Sequence, residues 1–287
     1  MVLIKDIAFE DPDILTFIKA LKDYGGYDFS NYSDKSFVRR VEKVMMDYRI
    51  DMHTLINKVK FDRNFLEEVV KAITVNTTEL FRDPQVWHAI KYRILPRLAS
   101  KREINIWHAG CSNGLEVYSM IILLNELGML HRCHIYATDL NTDVLRIAQQ
   151  GVYSYRSVSE YLGNFNSVLC ENPYNFDEHL VVTFEKYFDI NKIKDTFKIK
   201  PAYLGLAAFK KHDLVRDTNP FNIYYDIILC RNVLIYFNTT LQNKLFLDFW
   251  NYLDTTGSLV LGIHESIIGP LSAKYEKKGL IYNKKVY

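Results

Sequence analysis

Gly110 and Gly114 bracket a polar turn, Gly-Cys-Ser-Asn-Gly, between an apolar run at residues 104–108 and a helical apolar pattern through Val117, Tyr118, Met120, Ile121 and Leu124. A strand, a tight glycine loop and a helix in that order bring backbone N–H groups and a helix N-terminus up to a ligand, because glycine has no Cβ to keep it away. The next apolar run, residues 134–138, is closed by Asp139. A carboxylate ending the second strand of such a unit is placed to accept hydrogen bonds from a ribose. A third apolar run, Tyr225–Cys230, ends in the polar pair Arg231-Asn232. Ligands of open α/β sheets bind beyond the carboxyl ends of the strands, so these three segments converge on one edge and predict a nucleoside-containing ligand.

The loop narrows which nucleoside. A dinucleotide fingerprint needs a middle glycine for the pyrophosphate, and a P-loop needs Gly-Lys-Ser/Thr. Here Cys111 and Ser112 follow Gly110 directly and neither signature is present, which favours a ligand without phosphates. S-adenosylmethionine is the commonest of that kind, although loop spacing alone does not choose it. Taken singly, several of these residues have plainer readings. Asp139 reads equally as a helix N-cap, and Glu116 as a first-turn glutamate favoured by the helix dipole. Arg82 reads as a surface partner of Asp83 or Glu79, Tyr236 as a core aromatic, and His108, His212 and His264 as structural residues at strand ends.

The elements that must position these residues follow from periodicity. Residues 11–75 carry helical stripes: Ile14, Phe17, Ile18 and Leu21; Phe37, Val41, Val44, Met45 and Tyr48; Leu66, Val69, Val70 and Ile73. Asp51 is placed to cap a further short helix, and Gly25-Gly26 separates the first two. A mixed stretch, Thr74 to Arg82, precedes a helix that opens at Asp83-Pro84. From residue 103 onward strands (104–108, 134–138, 207–211, 225–230, 258–263) alternate with helices (115–127, 142–150, 240–253), the pattern of a parallel sheet covered on both faces. The tail from residue 274 reads as a hairpin turning at Gly279. Between Gly151 and Lys211 the rhythm breaks, and an insertion with a short helix and a small β-hairpin is expected. The division is therefore 1–75 helical domain, 76–100 linker and connecting helix, and 101–287 α/β domain, with the inserted β-subdomain at about 180–206.

Bulk composition excludes several classes. The 287 residues are 48% apolar and 24% charged, with a net charge of +2, so there is a core to bury and no global charge for nucleic acid. Cys111, Cys133, Cys170 and Cys230 form no C-x-x-C pair, which argues against zinc, a redox motif or a disulfide framework and for a reducing cytoplasm. No run is long enough to cross a membrane, and the N-terminus is charged too soon for a signal peptide.

As a set, Val75-Asn-Thr-Thr-Glu-Leu-Phe-Arg-Asp83, Gly110-Cys-Ser-Asn-Gly-Leu-Glu-Val-Tyr-Ser119, Ala137-Thr-Asp139, Gly151-Val-Tyr153 and Cys230-Arg-Asn-Val-Leu-Ile-Tyr-Phe237 resemble the CheR family of chemotaxis-type protein-glutamate O-methyltransferases. They occur in family order, and the resemblance covers the chain from about residue 12. It implies a Rossmann-like class I S-adenosylmethionine-dependent methyltransferase domain behind a small all-α N-terminal domain, with an inserted β-subdomain. It also implies S-adenosylmethionine as methyl donor, S-adenosylhomocysteine as product, and no metal. Position by position, it places Asn76, Thr78 and Arg82 of the linker over the cofactor, together with Gly110 and Glu116. Asp139 matches the ribose acid, and Arg231 and Asn232 the polar pair of the fourth strand. Asp213-Leu214 stands where the family has Asn-Leu near the adenine, a departure at Asp213. Tyr236 matches the tyrosine beside the transferring methyl, and Arg40 an arginine on the substrate side.

The implied reaction methylates glutamate carboxylates on an acidic helical segment of a receptor or other signalling protein, without nucleic acid or membrane insertion and as a monomer. Lys35, Arg39, Arg40 and Lys43 lie largely off the apolar stripe of the second helix, while Met45, Met46 and Asp47 stand where further arginines are common. Such a run is also the pattern of an ordinary solvated helix face. The hairpin turn Asn191-Lys-Ile-Lys-Asp195 lacks the glycines of members that grip a receptor tail, so no such tether is expected. The competing class is a regulatory module that binds S-adenosylmethionine or S-adenosylhomocysteine without turnover. A small-molecule methyltransferase is a third reading, disfavoured by the separate basic helical domain.

Overall fold

The computed structural model describes residues 10–74 and 77–286. The chain divides into two compact units, Met1–Val75 with Val233–Leu245, and Asn76–Asn232 with Phe246–Tyr287. Val233–Leu245, assigned from the sequence to the α/β domain, thus groups with the helices.

The helical unit contains α1 (Pro12–Ala20), α2 (Asp34–Tyr48), α3 (Met52–Phe61) and α4 (Arg63–Ile73). Asp11, Asp51 and Asp62 cap α1, α3 and α4, accepting from the N–H groups of Asp13, Thr54 and Phe65 that a helix leaves unpaired. Buried stripes on each helix meet, with Phe17, Phe37, Leu55 and Leu66 fully enclosed. On α2 the buried face is Phe37, Val38, Val41 and Val44. It stops short of Tyr48, which is exposed because the helix ends there with Arg49 at φ 53°. The later segment joins this unit through the Ser33 N–H, which donates to the Tyr236 carbonyl at 2.8 Å, and through Tyr32 set edge-on to Phe237.

The other unit opens with α5 (Pro84–Ala89) and then alternates: β1 (Ile104–Ala109), α6 (Leu115–Glu126), β2 (Cys133–Asp139), α7 (Thr142–Gln150), β3 (Val152–Ser154) and α8 (Val158–Leu169). It continues with β4 (Phe188–Asn191), β5 (Thr196–Ile199), β6 (Ala207–Lys211), β7 (Tyr225–Cys230), α9 (Thr239–Tyr252, begun in the other unit), β8 (Leu253–Leu261), β9 (Tyr275–Lys278) and β10 (Ile281–Lys284). One seven-stranded sheet has the order β6-β2-β1-β7-β8-β10-β9. Its first five strands run parallel and the terminal hairpin antiparallel. All six residues of β7 are buried, as expected of a central parallel strand covered on both faces. This is a Rossmann-like α/β fold. No helix among the described residues is long and apolar enough to cross a membrane.

The insertion departs from expectation. It holds a twelve-residue helix, α8, and a three-stranded antiparallel sheet, β3-β5-β4, where a short helix and a hairpin were expected. The third strand, β3, lies well before residue 180 and is only three residues long. It pairs across sequence with β5, Tyr153 opposite Phe197, and such distant pairing leaves no local periodicity. Phe165, Phe184, Phe188 and Phe197 pack as the core beneath it.

Candidate cofactor site

Parallel register brings the strand ends together: Ala109 pairs with Thr138, and Cys230 with Leu261. From this edge the loop after β1 folds back, so that the N–H groups of Gly110 and Cys111 both donate to the Thr138 carbonyl at 2.8 Å. Gly114 starts α6 at φ 85°, and a Cβ there would sit 2.7 Å from Ala148 Cβ, so the position admits only glycine. The Ser112 N–H donates to Asp139 Oδ2 at 2.8 Å and the Asn141 N–H to Oδ1 at 2.9 Å. The cap of α7 is Asn141, which accepts from Asp143 N–H, so Asp139 is left to the loop. Burial pushes the Asp139 carboxyl above the usual aspartate range, against the pull of its backbone donors.

Glu116, in the first turn of α6, is held from two sides. His108 Nδ1 lies 2.8 Å from Oε1, and an Arg231 Nη1–H donates to Oε2 at 3.0 Å. Burial raises the Glu116 carboxyl, but His108 and Arg231 outweigh it and hold it below the ordinary range. The Arg231 side chain is 1% exposed. Its Nη2 donates to the Arg82 carbonyl at 2.7 Å and to Asp83 Oδ2 at 3.0 Å, and the guanidinium lies over Trp87. The linker is pinned further by Phe81 N–H to Ser119 Oγ at 2.8 Å and by Trp87 Nε1–H to the Arg82 carbonyl at 3.0 Å. These bonds hold Phe81 and Asp83 at φ 51° and 56°, conformations that cost a side-chain-bearing residue energy. Arg231 is therefore a buried tether of the linker through Nη2, while its buried Nε has no partner among the described residues.

Asn232 follows at φ 57°. Its N–H donates to Glu265 Oε2 at 2.8 Å, and the Gly262 N–H donates to the same oxygen at 2.7 Å. Glu265 is 9% exposed and joins the ends of β7 and β8. Sequence reasoning missed it. The available signal was an acidic residue three positions after a glycine that closes an apolar run.

Asp213 is buried, and its Oδ1 accepts from Val215 N–H at 2.9 Å while its own N–H donates to Asp217 Oδ2 at 3.0 Å. It closes the turn after β6, and burial raises its carboxyl. The adjacent His212 N–H donates to the Asp139 carbonyl at 3.0 Å, so this turn and Leu214 within it are tied to the end of β2. Thr78 is half-buried, and Arg82 reaches back toward the Thr77 carbonyl at 3.5 Å, so neither of the surface pairings considered for Arg82 is its hydrogen bond here. Asn76 lies outside the described residues. Arg40 and Tyr236 belong to the helical unit, where both are half-buried.

The edge thus presents carboxylates at Glu116, Asp139, Asp213 and Glu265, with the Arg231 guanidinium engaged through Nη1 and Nη2. The Asp139 carboxylate takes backbone donors from Ser112, Asn141 and Leu140 and, with about four lone-pair sites, keeps room for a hydroxyl, and the buried Ser112 Oγ has no partner among the described residues. Hydroxyl acceptors, a glycine cradle and net negative lining suit a nucleoside carrying positive charge. No group of carboxylate, histidine and cysteine side chains among the described residues has metal-ligand geometry.

A family model described as CheR methyltransferase, SAM binding domain, matches residues 76–279. A Pseudomonas putida protein bearing a methyltransferase name, Cher3, is 34% identical over 90% of this chain and 89% of its own length. The chemotaxis protein methyltransferase of Listeria innocua is 29% identical, covering 91% and 92%. Among solved structures, the plantazolicin methyltransferase BpumL with an azole analog and S-adenosylhomocysteine superposes at a TM-score of 0.36 with 12% identity, over 80% of this chain. This chain spans less than two thirds of that one, 60%.

Proposed function

The chain belongs to the CheR methyltransferase family, and from that premise we propose that it methylates glutamate side chains of a chemotaxis receptor, using S-adenosylmethionine. The observation that carries the cofactor is the Asp139 carboxylate, presented at the end of β2 by the Ser112 and Asn141 N–H groups. Asp139 would hold the ribose hydroxyls, the Gly110–Gly114 loop the amino-acid end, and Asp213 and Leu214 the adenine. Asn76, Thr78 and Arg82 would close over it from the linker, and Glu116 and Asn232 would line the methyl-donor side.

Bound there, the cofactor supplies a methyl group on a sulfonium. A glutamate is already ionised at neutral pH, with an ordinary pKa of about 4.3, so its oxygen needs no general base. With sulfonium and carboxylate charges cancelling on transfer, a site less polar than water would favour the transition state, and these residues would contribute in-line positioning. Tyr236 is assigned by the family resemblance the role of orienting the carboxylate. Arg40, with the exposed Lys35, Arg39 and Lys43 of α2, meets the acidic helix of the substrate as a cytoplasmic, monomeric enzyme.

Incubation with radiolabelled cofactor and candidate receptors tests this reading. The expected product is a base-labile methyl ester on a receptor glutamate. Tight S-adenosylhomocysteine binding with no ester on any candidate would instead favour a regulatory module without turnover.

A further inference from the structure

His108 is the penultimate residue of β1, two positions before Gly110, with no solvent exposure. Side chains alternate along a strand, and Trp107 turns to the face where it packs on Tyr225 and Phe249. His108 therefore turns to the face of α6, where Nδ1 meets Glu116 Oε1 at 2.8 Å. A carboxylate only accepts, so Nδ1 is the donor in this hydrogen bond. Nε2 has no partner among the described residues, so the one hydrogen bond of this buried ring is the one to Glu116. The opposite oxygen of the same carboxylate is taken by Arg231 at 3.0 Å. The two donors fix both oxygens and leave the side chain a single orientation beside the Gly110–Gly114 loop.

We propose that His108 is a positioning residue of the cofactor site: its Nδ1–H clamps Glu116 against Arg231, so that the carboxylate is preset beside the glycine loop before ligand arrives. This rests on the cofactor reading above and extends it from Glu116 to the residue that holds Glu116 in place. A hydrogen bond to a charged group in a buried setting is worth roughly tenfold or more in an equilibrium constant. Asparagine can place its amide N–H where Nδ1 lies, whereas leucine fills the space without a donor.

Calorimetric titration of the full chain with S-adenosylhomocysteine tests the clamp, alongside thermal midpoints of the ligand-free proteins. His108→Leu should weaken binding about tenfold, and His108→Asn should stay within about threefold of the unaltered protein. In a Glu116→Gln background, His108→Leu should add less than about threefold, because the partner charge is already gone. Equal losses for leucine and asparagine, fully additive losses in the double variant, or undiminished binding by His108→Leu would overturn the clamp. Failure of the unaltered chain to bind S-adenosylhomocysteine would overturn the cofactor reading itself and the clamp with it.

Discussion

Arg231 and Glu116 form a buried ion pair, Nη1 to Oε2 at 3.0 Å, across the carboxyl edge of the sheet. The resemblance to methyltransferases implies that both face the cofactor. Each also takes up much of the other's charge, and Arg231 spends its second nitrogen on the linker at Arg82 and Asp83. The pair couples the glycine-loop helix to the segment expected to cover the ligand, which makes the shape of the linker depend on a residue at the end of β7.

Removing one partner of such a pair leaves an uncompensated buried charge, at a cost of about 3–5 kcal/mol. Arg231→Met should therefore lower the thermal midpoint by roughly 6–20 °C, at about 2–4 °C per kcal/mol for a chain of this size. Lysine has a single head and cannot reach Glu116, Asp83 and the Arg82 carbonyl together, so Arg231→Lys should fall between the two. Scanning calorimetry reads this directly, and an unchanged midpoint in Arg231→Met would mean that the pair does not tether the linker.

Gly262 has no room for a side chain. A Cβ there would lie 2.8 Å from Glu265 Oε2 and 3.0 Å from Asn232 N. Gly262→Ala must push the carboxylate off both N–H groups and free Asn232 from its left-handed turn, which is expected to cost about 1–3 kcal/mol. Glu265→Gln keeps the shape but loses the charge-assisted bonds, so it should destabilise less than Gly262→Ala. Urea unfolding midpoints rank the two, and the reverse order would show that the glycine is a packing position unrelated to Glu265.

Much of this was legible in the sequence, for physical reasons that also mark where reading stops. The strands Ala207–Lys211 and Tyr225–Cys230 and the helix Thr142–Gln150 have the bounds expected of them, because apolar runs bounded by caps and polar ends are local signals. The Gly110–Gly114 loop and Asp139 were legible because strand ends converge wherever a parallel sheet forms. Glu265, β3 and the engagement of Arg231 were not. Each depends on a partner 30 or more residues away, Asn232 for Glu265, Phe197 for Tyr153 and Glu116 for Arg231, and no periodicity encodes such a meeting.

Substitutions at Arg40 on α2 test substrate docking apart from cofactor binding. Lys43 is already paired with Asp47 at 2.9 Å, and exposed pairs of this kind contribute little to stability. Reversing the charge at Arg40 should leave the fold and S-adenosylhomocysteine affinity unchanged while slowing methyl transfer to an acidic receptor helix several-fold, more so at low salt, where surface charges are least screened. The comparison requires transfer rates at two ionic strengths. Equal rates for Arg40→Glu and the unaltered protein at both would remove α2 from the docking surface.

The pH dependence of ligand binding should expose Asp139. Its carboxyl is raised by burial above the ordinary value of about 3.9, and only the anion accepts hydrogen bonds from both ribose hydroxyls. Affinity for S-adenosylhomocysteine is therefore full above the raised pKa and falls as pH drops through it, beginning above the ordinary aspartate range. The fold responds with the opposite sign at this residue: a carboxyl raised by folding disfavours the folded state as it ionises, so protonating Asp139 does not unfold the chain. Glu116 behaves conversely. Its carboxyl is depressed in the fold, so its contribution to stability is present above about 4.3 and is lost only as pH falls through the depressed value. Binding should thus weaken on acidification while the thermal midpoint still holds, and Asp139→Asn, weak at every pH, should show no such inflection. Calorimetric titrations from neutral pH down to pH about 4, paired with melting curves, decide it. An inflection that survives in Asp139→Asn would assign the proton to another group and remove Asp139 from the ribose site.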